Sequence, residues 1–184
     1  MPLDVISYAL AKKAMRYPQP LVPDWEVLAE VEVTSDVDYV EFTGLDINSD
    51  KVYVMFMSMK NPLSVNTAYM LFVEGDTDPA NYSRMNMYGT GTSAGSDSQS
   101  DSEIGAANAG EDNIIFCVVM RDPDGYMRAL SVWSRGTTSP GVIAVHTVQK
   151  TATVTNITSI RIASTEAGGI GAGSKFILAR VKRS

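Results

Sequence analysis

Cysteine and histidine are almost missing from this chain: Cys117 and His146 stand alone in 184 residues. A single cysteine excludes an internal disulfide, and the two residues together cannot build a Cys/His metal cluster within one chain. Long apolar runs are missing too. The longest, Ile114 to Met120, falls far short of the ~20 residues that a membrane-spanning helix requires. The opening Met-Pro-Leu-Asp carries no basic n-region and no long apolar h-region, so no signal peptide is expected. Basic residues are absent between Asp24 and Asp50, where nine acids occur. What is present is a composition of 45% hydrophobic and 20% charged residues, enough for one ordinary core and incompatible with wholesale disorder.

The charge is divided along the chain. Residues 1–124 hold 20 acids and seven bases, and residues 125–184 hold one acid, Glu166, and eight bases. The expected arrangement is that the two halves interleave in one fold and neutralise each other locally. The net charge of −6 argues against a general nucleic-acid-binding role, which needs a basic stripe.

The periodicity separates a short N-terminal element from everything that follows. Over residues 4–16, Leu3, Ile6, Leu10 and Ala14 recur at spacings of three and four, Asp4 is a suitable N-cap, and Lys12, Lys13 and Arg16 fall in the last turn. This predicts a helix that ends before Pro18, Pro20 and Pro23. So short a helix is marginal by itself and needs a surface to dock on. Residues 1–23 are therefore read as a helix and Pro-rich linker, and residues 24–184 as one β domain.

Strand signals fill that domain. Glu26 to Val33 alternates, with Val27, Ala29, Val31 and Val33 expected on the inner face. Asp38–Leu45, Val52–Met59, Ala68–Val73, Ile114–Met120, Tyr126–Trp133, Val142–Val148, Ile157–Ala163 and Phe176–Val181 follow, about nine strands in all. Val52–Met59 and Ala68–Val73 are apolar on both faces, which suggests central strands or strands covered by a partner. Arg121-Asp122-Pro123-Asp124-Gly125 has the chemistry of a turn and makes 114–133 a hairpin. Short strands with turn signals between them, and no helical pattern separating them, predict an all-β, jelly-roll-like antiparallel sandwich with one short N-terminal helix.

One segment breaks this rhythm. Gly89 to Asn113 is rich in Gly, Ser and Ala, with no base, no aromatic and one large apolar residue, Ile104. It reads as a long flexible loop, and a loop of this length inside a compact domain calls for a role. Its acids, Asp97, Asp101, Glu103, Glu111 and Asp112, face no base within the segment. The expectation is an assembly arm that reaches a neighbouring subunit and pairs with bases of the C-terminal third: Arg128, Arg135, Lys150, Arg161, Lys175, Arg180, Lys182 or Arg183.

Motifs that could carry chemistry resolve into structural features. Gly168 to Lys175 resembles a phosphate loop in composition, but Ser174 precedes Lys175 and a strand follows, so it reads as a glycine-rich turn. Asp122 and Asp124 lack the rest of a calcium loop. Glu74, Asp76, Asp78 and Asn81 read as a solvated acidic loop. His146 lies in mid-strand without a nucleophile elbow, since Gly91-Thr92-Ser93-Ala94-Gly95 has only the spelling of one. Cys117 reads as a small core residue, and Met55, Met57 and Met59 as core filling. No catalytic, cofactor-binding or metal-ligating residue is assigned, and no cofactor is expected.

Both ends and the first third of the chain carry a resemblance. The opening from Met1 to Ala14 resembles the N-terminal helix of tailed-phage virion proteins such as tail or head fibres. Trp25 to Val33, Phe42-Thr43-Gly44-Leu45-Asp46, Ile160-Arg161-Ile162 and Ala172 to Leu178 are similar to the strands of the β-sandwich that such proteins carry. The resemblance implies a non-enzymatic virion protein on the capsid or tail surface, acting through subunit contacts. It also implies a homo-oligomer, with a trimer as the first expectation, and an attachment helix presenting Leu3, Ile6, Leu10 and Ala14. Partners would be other virion proteins, without nucleic acid or membrane. Alternatives are a receptor- or glycan-binding module using Tyr82, Tyr88 or Trp133, and a small hydrolase built around His146.

Overall fold

The computed structural model describes residues 24–90, 93–135 and 141–182. The expected helix over 4–16, its apolar face of Leu3, Ile6, Leu10 and Ala14, and the Pro-rich linker lie outside the described residues.

Among the described residues the chain forms twelve strands: β1 (Asp24–Glu32), β2 (Tyr39–Thr43), β3 (Val52–Lys60), β4 (Thr67–Val73), β5 (Tyr82–Thr90), β6 (Ser93–Gln99), β7 (Glu103–Ala107), β8 (Asp112–Arg121), β9 (Tyr126–Arg135), β10 (Val142–Thr153), β11 (Ser159–Ser164) and β12 (Lys175–Lys182). They build two antiparallel sheets, ordered β1-β12-β3-β8-β9-β10-β5-β6 and β2-β11-β4-β7. The two sheets form the all-β sandwich that the alternation predicted. A single helical turn, α1 (Ile47–Asp50), is capped by Asp46, and a 3-10 turn at Pro79–Asn81 is capped by Asp78.

The core lies between the sheets. Met55, Met57 and Met59 of β3 are buried there with Leu71 of β4, Ile160 and Ile162 of β11 and Phe176 and Leu178 of β12. The methionine row thus fills the core. The β8–β9 hairpin closes at the expected turn. Gly125 N–H donates to the Asp122 carbonyl at 3.0 Å, and the Asp122 carboxylate accepts from Tyr126 N–H at 2.8 Å. Gly125 takes φ +95°, a conformation that a side chain would strain. The glycine-rich stretch before β12 is likewise a turn: Gly171 N–H donates to the Lys60 carbonyl and Gly173 N–H to that of Val33.

Two expectations are corrected. Gly89 to Asn113 is not one long loop. It holds the end of β5, all of β6 and β7, and the start of β8. β6 pairs with β5 from Arg84↔Gln99 to Thr90↔Ser93, and β7 pairs with β4. Small, polar residues suit these strands because β6 is an exposed edge with little to bury, while Gly105 on β7 sits where a Cβ would collide with Ile115. Ile104, the one large apolar residue, is fully buried.

In β1, Val27 faces outward instead of inward. A bulge at Leu28 places two residues where the partner strand has one, so the alternation reverses between Val27 and Ala29. β4 is an interior strand, one of the two arrangements that its apolar faces suggested. Both of its faces are covered by its own chain, and Phe72 lies edge-on to Tyr82 with ring centroids 5.6 Å apart. The apolar surplus read from this strand therefore needs no partner. In β3 only the outer face is left open, at Phe56.

The unequal charge halves do interleave. Lys150 pairs with Asp76, Arg161 with Glu41, Lys175 with Glu32, and Arg180 with Glu26 and Asp50.

Candidate functional site

Two features stand out: a buried polar cluster at one end of the sandwich, and the bare outer face of the larger sheet. Both arise from β5, whose polarity is inverted. Its inward residues include Arg84 and Asn86, both buried, while Met85 and Met87 point outward at 60% and 57% exposure.

Three of the five acids assigned to an assembly arm meet inside the chain, and among the described residues the base that receives them is Arg84, not one of the C-terminal third. Arg84 Nε donates to Asp101 Oδ1 at 2.7 Å and Nη2 to Asp101 Oδ2 at 3.1 Å. Asp97 lies 3.4 Å from Nη1 and Glu103 3.5 Å from Nη2. Asp97, Asp101 and Glu103 thus converge on one guanidinium. Glu111 and Asp112 do not join them: Asp112 opens β8 opposite Lys60, and the Glu111 carbonyl accepts from Asn61 N–H. Three carboxylates for one cation leave an excess of negative charge in a desolvated place. Burial, reinforced by Asp101 and Asp97, accordingly raises Glu103 to about 7, against the opposing pull of Arg84 and Arg135.

His146 borders this cluster. Trp133 Nε1–H donates to His146 Nε2 at 2.9 Å, which puts the ring proton on Nδ1, 3.0 Å from the Glu103 carbonyl it donates to. Burial holds its pKa below the ordinary value. The register sets Cys117, Ser131, His146, Asn86 and Asp97 side by side across five strands. That row has the residue types of a nucleophile–base array but not its bonding. Ser131 Oγ donates to the Ile104 carbonyl, and both nitrogens of His146 are engaged elsewhere. The Cys117 thiol is fully buried and pushed up to about 12.

The other motifs are used within the fold. Asp76 is held by Lys150 and Asn81, Asp78 caps its turn, and Glu74 accepts from Thr158 and Ser159 N–H. Asp122 pairs with Arg128. Among the described residues no group of three His, Cys, Asp or Glu side chains could hold a metal ion, and no helix there is long and apolar enough to cross a membrane. Of the aromatics assigned to glycan binding, Tyr82 and Trp133 are buried and only Tyr88 is exposed. A cleft of about 370 Å³ opens between β1 and β2 over Leu28, Val31, Phe42, Leu45 and Leu178. Of its charged groups, Asp50 and Arg180 are already bonded to each other at 2.6 Å and Glu41 accepts from Arg161 at 3.1 Å.

The outer face of the eight-stranded sheet is different in kind. Following the register across six strands gives Ile177, Phe56, Phe116, Val132, Val145 and Met87 in one unbroken row. It runs from Glu30 on β1 to Ser96 on β6 without a charged residue between them. The adjacent row holds Val118, Leu130, Thr147 and Met85 beside Val54, which is itself buried, and beyond the first row stand Ile114 and Ile143, both more than 60% exposed. Phe56 and Phe116 pack ring against ring at 5.1 Å in the middle.

No protein-family model and no curated protein matches this chain. A solved structure of a protein of unknown function from Shewanella oneidensis MR-1 is 12% identical over 88% of this chain and 78% of its own, with a TM-score of 0.20, a similarity that fixes neither fold nor function.

Proposed function

We propose that this chain is a non-enzymatic structural component of a tailed-phage virion, on the capsid or tail surface, acting through contacts between subunits. The observation that carries the reading is the uncharged apolar row across the outer face of the larger sheet. Ordinary monomers keep such patches to a few hundred Å², and larger ones mark interaction surfaces. The resemblance of residues 1–14 and of the first and last strands to virion proteins supplies the setting. In this reading residues 4–16 attach the sandwich to a neighbouring virion protein, and the subunits form a homo-oligomer.

The test is incorporation. Particles made with the full chain should contain it by mass spectrometry and show it by electron microscopy. Particles made with residues 1–20 deleted should lack it while the truncated protein remains folded. Normal incorporation of the truncated chain defeats the attachment role, and absence of the full chain from purified particles defeats the virion reading itself.

A further inference from the structure

We infer that the outer face of the eight-stranded sheet is buried against the same face of a second copy of this chain. The inference rests on the reading that the protein works through subunit contacts, and it does not require a particle.

The size of the face is the first argument. With strands ~4.8 Å apart, the uncharged row spans ~25 Å, and together with the mixed rows on either side, which include Thr147, Ser58 and Ser134, the face extends ~20 Å along the strands. The resulting ~500 Å² lies in the range of the largest patch of a typical monomer, which is often functional, and two such faces together would bury ~1,000 Å², the lower bound of a specific interface. Inversion of β5 is the second. Met85 and Met87 stand in solvent while Arg84 is 4% exposed, an orientation that makes sense for a strand with a covered outer face. Aggregation would be the cost of leaving it bare.

The chemistry of the face selects the occupant. It offers no charge with which to recognise an acidic or basic partner, and it is a broad, twisted sheet surface instead of a groove for a helix. Its complement is another apolar sheet face of the same twist, and sheets pack in this way ~10 Å apart and within about 30° of alignment. The same face of a second copy supplies that surface. The nearest charges lie at the rim: Glu30 and Glu32 on β1, Lys175 on β12 and Arg128 on β9. A two-fold axis along the strands would set Glu30 of one copy over the uncharged Ser96 edge of the other, so like charges do not meet. Phe56, Phe116, Leu130 and Val132 fall at the centre, where truncation does most damage to an interface.

Light scattering on the purified full chain should give a multiple of 19.9 kDa. Leu130→Glu with Val132→Glu should weaken self-association at least about tenfold by opposing like charges across the contact, with the circular dichroism spectrum of the parent. Met85→Lys with Met87→Lys, at the two most solvent-exposed methionines of the face, provides a second variant should the first fail to fold. A wild-type chain that stays monomeric up to ~0.1 mM, in the range where even weak specific interfaces associate, overturns the inference. So do variants that assemble as the parent does. If the virion reading alone fails, the purified protein still self-associates but is missing from particles. If this inference alone fails, the protein is in particles yet monomeric in solution.

Discussion

Arg84 on β5 holds Asp101 with two parallel hydrogen bonds, 2.7 Å from Nε and 3.1 Å from Nη2, in a position almost closed to water. The pair ties the outer edge of the larger sheet to the segment that leads into β7 of the smaller one. Asp97 and Glu103 share the same guanidinium, so a single cation holds together the stretch that looked least structured in the sequence.

Removing that cation leaves the half-buried carboxylates of Asp101 and Glu103, and the more exposed one of Asp97, without a partner. Arg84→Met should destabilise the fold by about 1–3 kcal/mol, as measured by urea denaturation. Arg84→Lys keeps the charge but loses the fork geometry, and should fall between the two. Equal stability of Arg84→Met and the parent would show that the cluster contributes nothing.

The pH dependence has a definite sign. Glu103 titrates near 7 in the fold, against 4.5 as the ordinary value. Between these values the folded state binds more protons than the unfolded one. Stability therefore falls as pH rises from about 4.5 to about 7, by roughly 3 kcal/mol in all, and levels off above. His146 acts in the opposite sense. Its pKa is held below 6.5, so it contributes stability that is lost as pH falls below 6.5. Glu103→Gln should abolish the first slope and expose the second, making the protein less stable on acidification. A Glu103→Gln profile that still loses stability from pH 4.5 to 7 would contradict this assignment.

Trp133 fixes the tautomer of His146. Nitrogen chemical shifts of the ring should report the Nδ1-protonated neutral form at pH 7. Trp133→Phe strands Nε2 without its donor and should cost ~1–3 kcal/mol in thermal or chemical unfolding. An imidazole that exchanges freely between tautomers in the parent would refute the hydrogen-bond pattern.

Ile104 tests whether β7 belongs to the core. Ile104→Ala should cost about 2–5 kcal/mol, as a large-to-small change at a fully buried site. Replacing 92–108 by a short Gly-Ser link removes β6 and β7 together and should prevent stable folding. A shortened chain as stable as the parent would return the segment to a dispensable loop.

The residues themselves determined the all-β class, nine strands and the Asp122–Gly125 turn, because alternation and turn chemistry are written over windows of a few residues. The methionine row of β3 and the buried, structural placement of His146 and Cys117 were legible for the same reason. Tertiary structure decided the rest. The strand pattern of β5 was hidden because its polar residues face inward and its methionines face out, and Ser93–Gln99 has no apolar face from which to read a strand. The partner of Asp97, Asp101 and Glu103 was equally hidden. It is Arg84, 17 residues from Asp101, as Arg180 is 154 residues from the Glu26 it pairs with, and a local window cannot see such pairings. The bulge at Leu28 turns Val27 outward only because β12 pairs alongside it. Which apolar faces are covered depends on how sheets stack: β4 is enclosed on both sides by its own chain, while the row through Phe56, Phe116 and Val132 is left open on the outer face of its sheet.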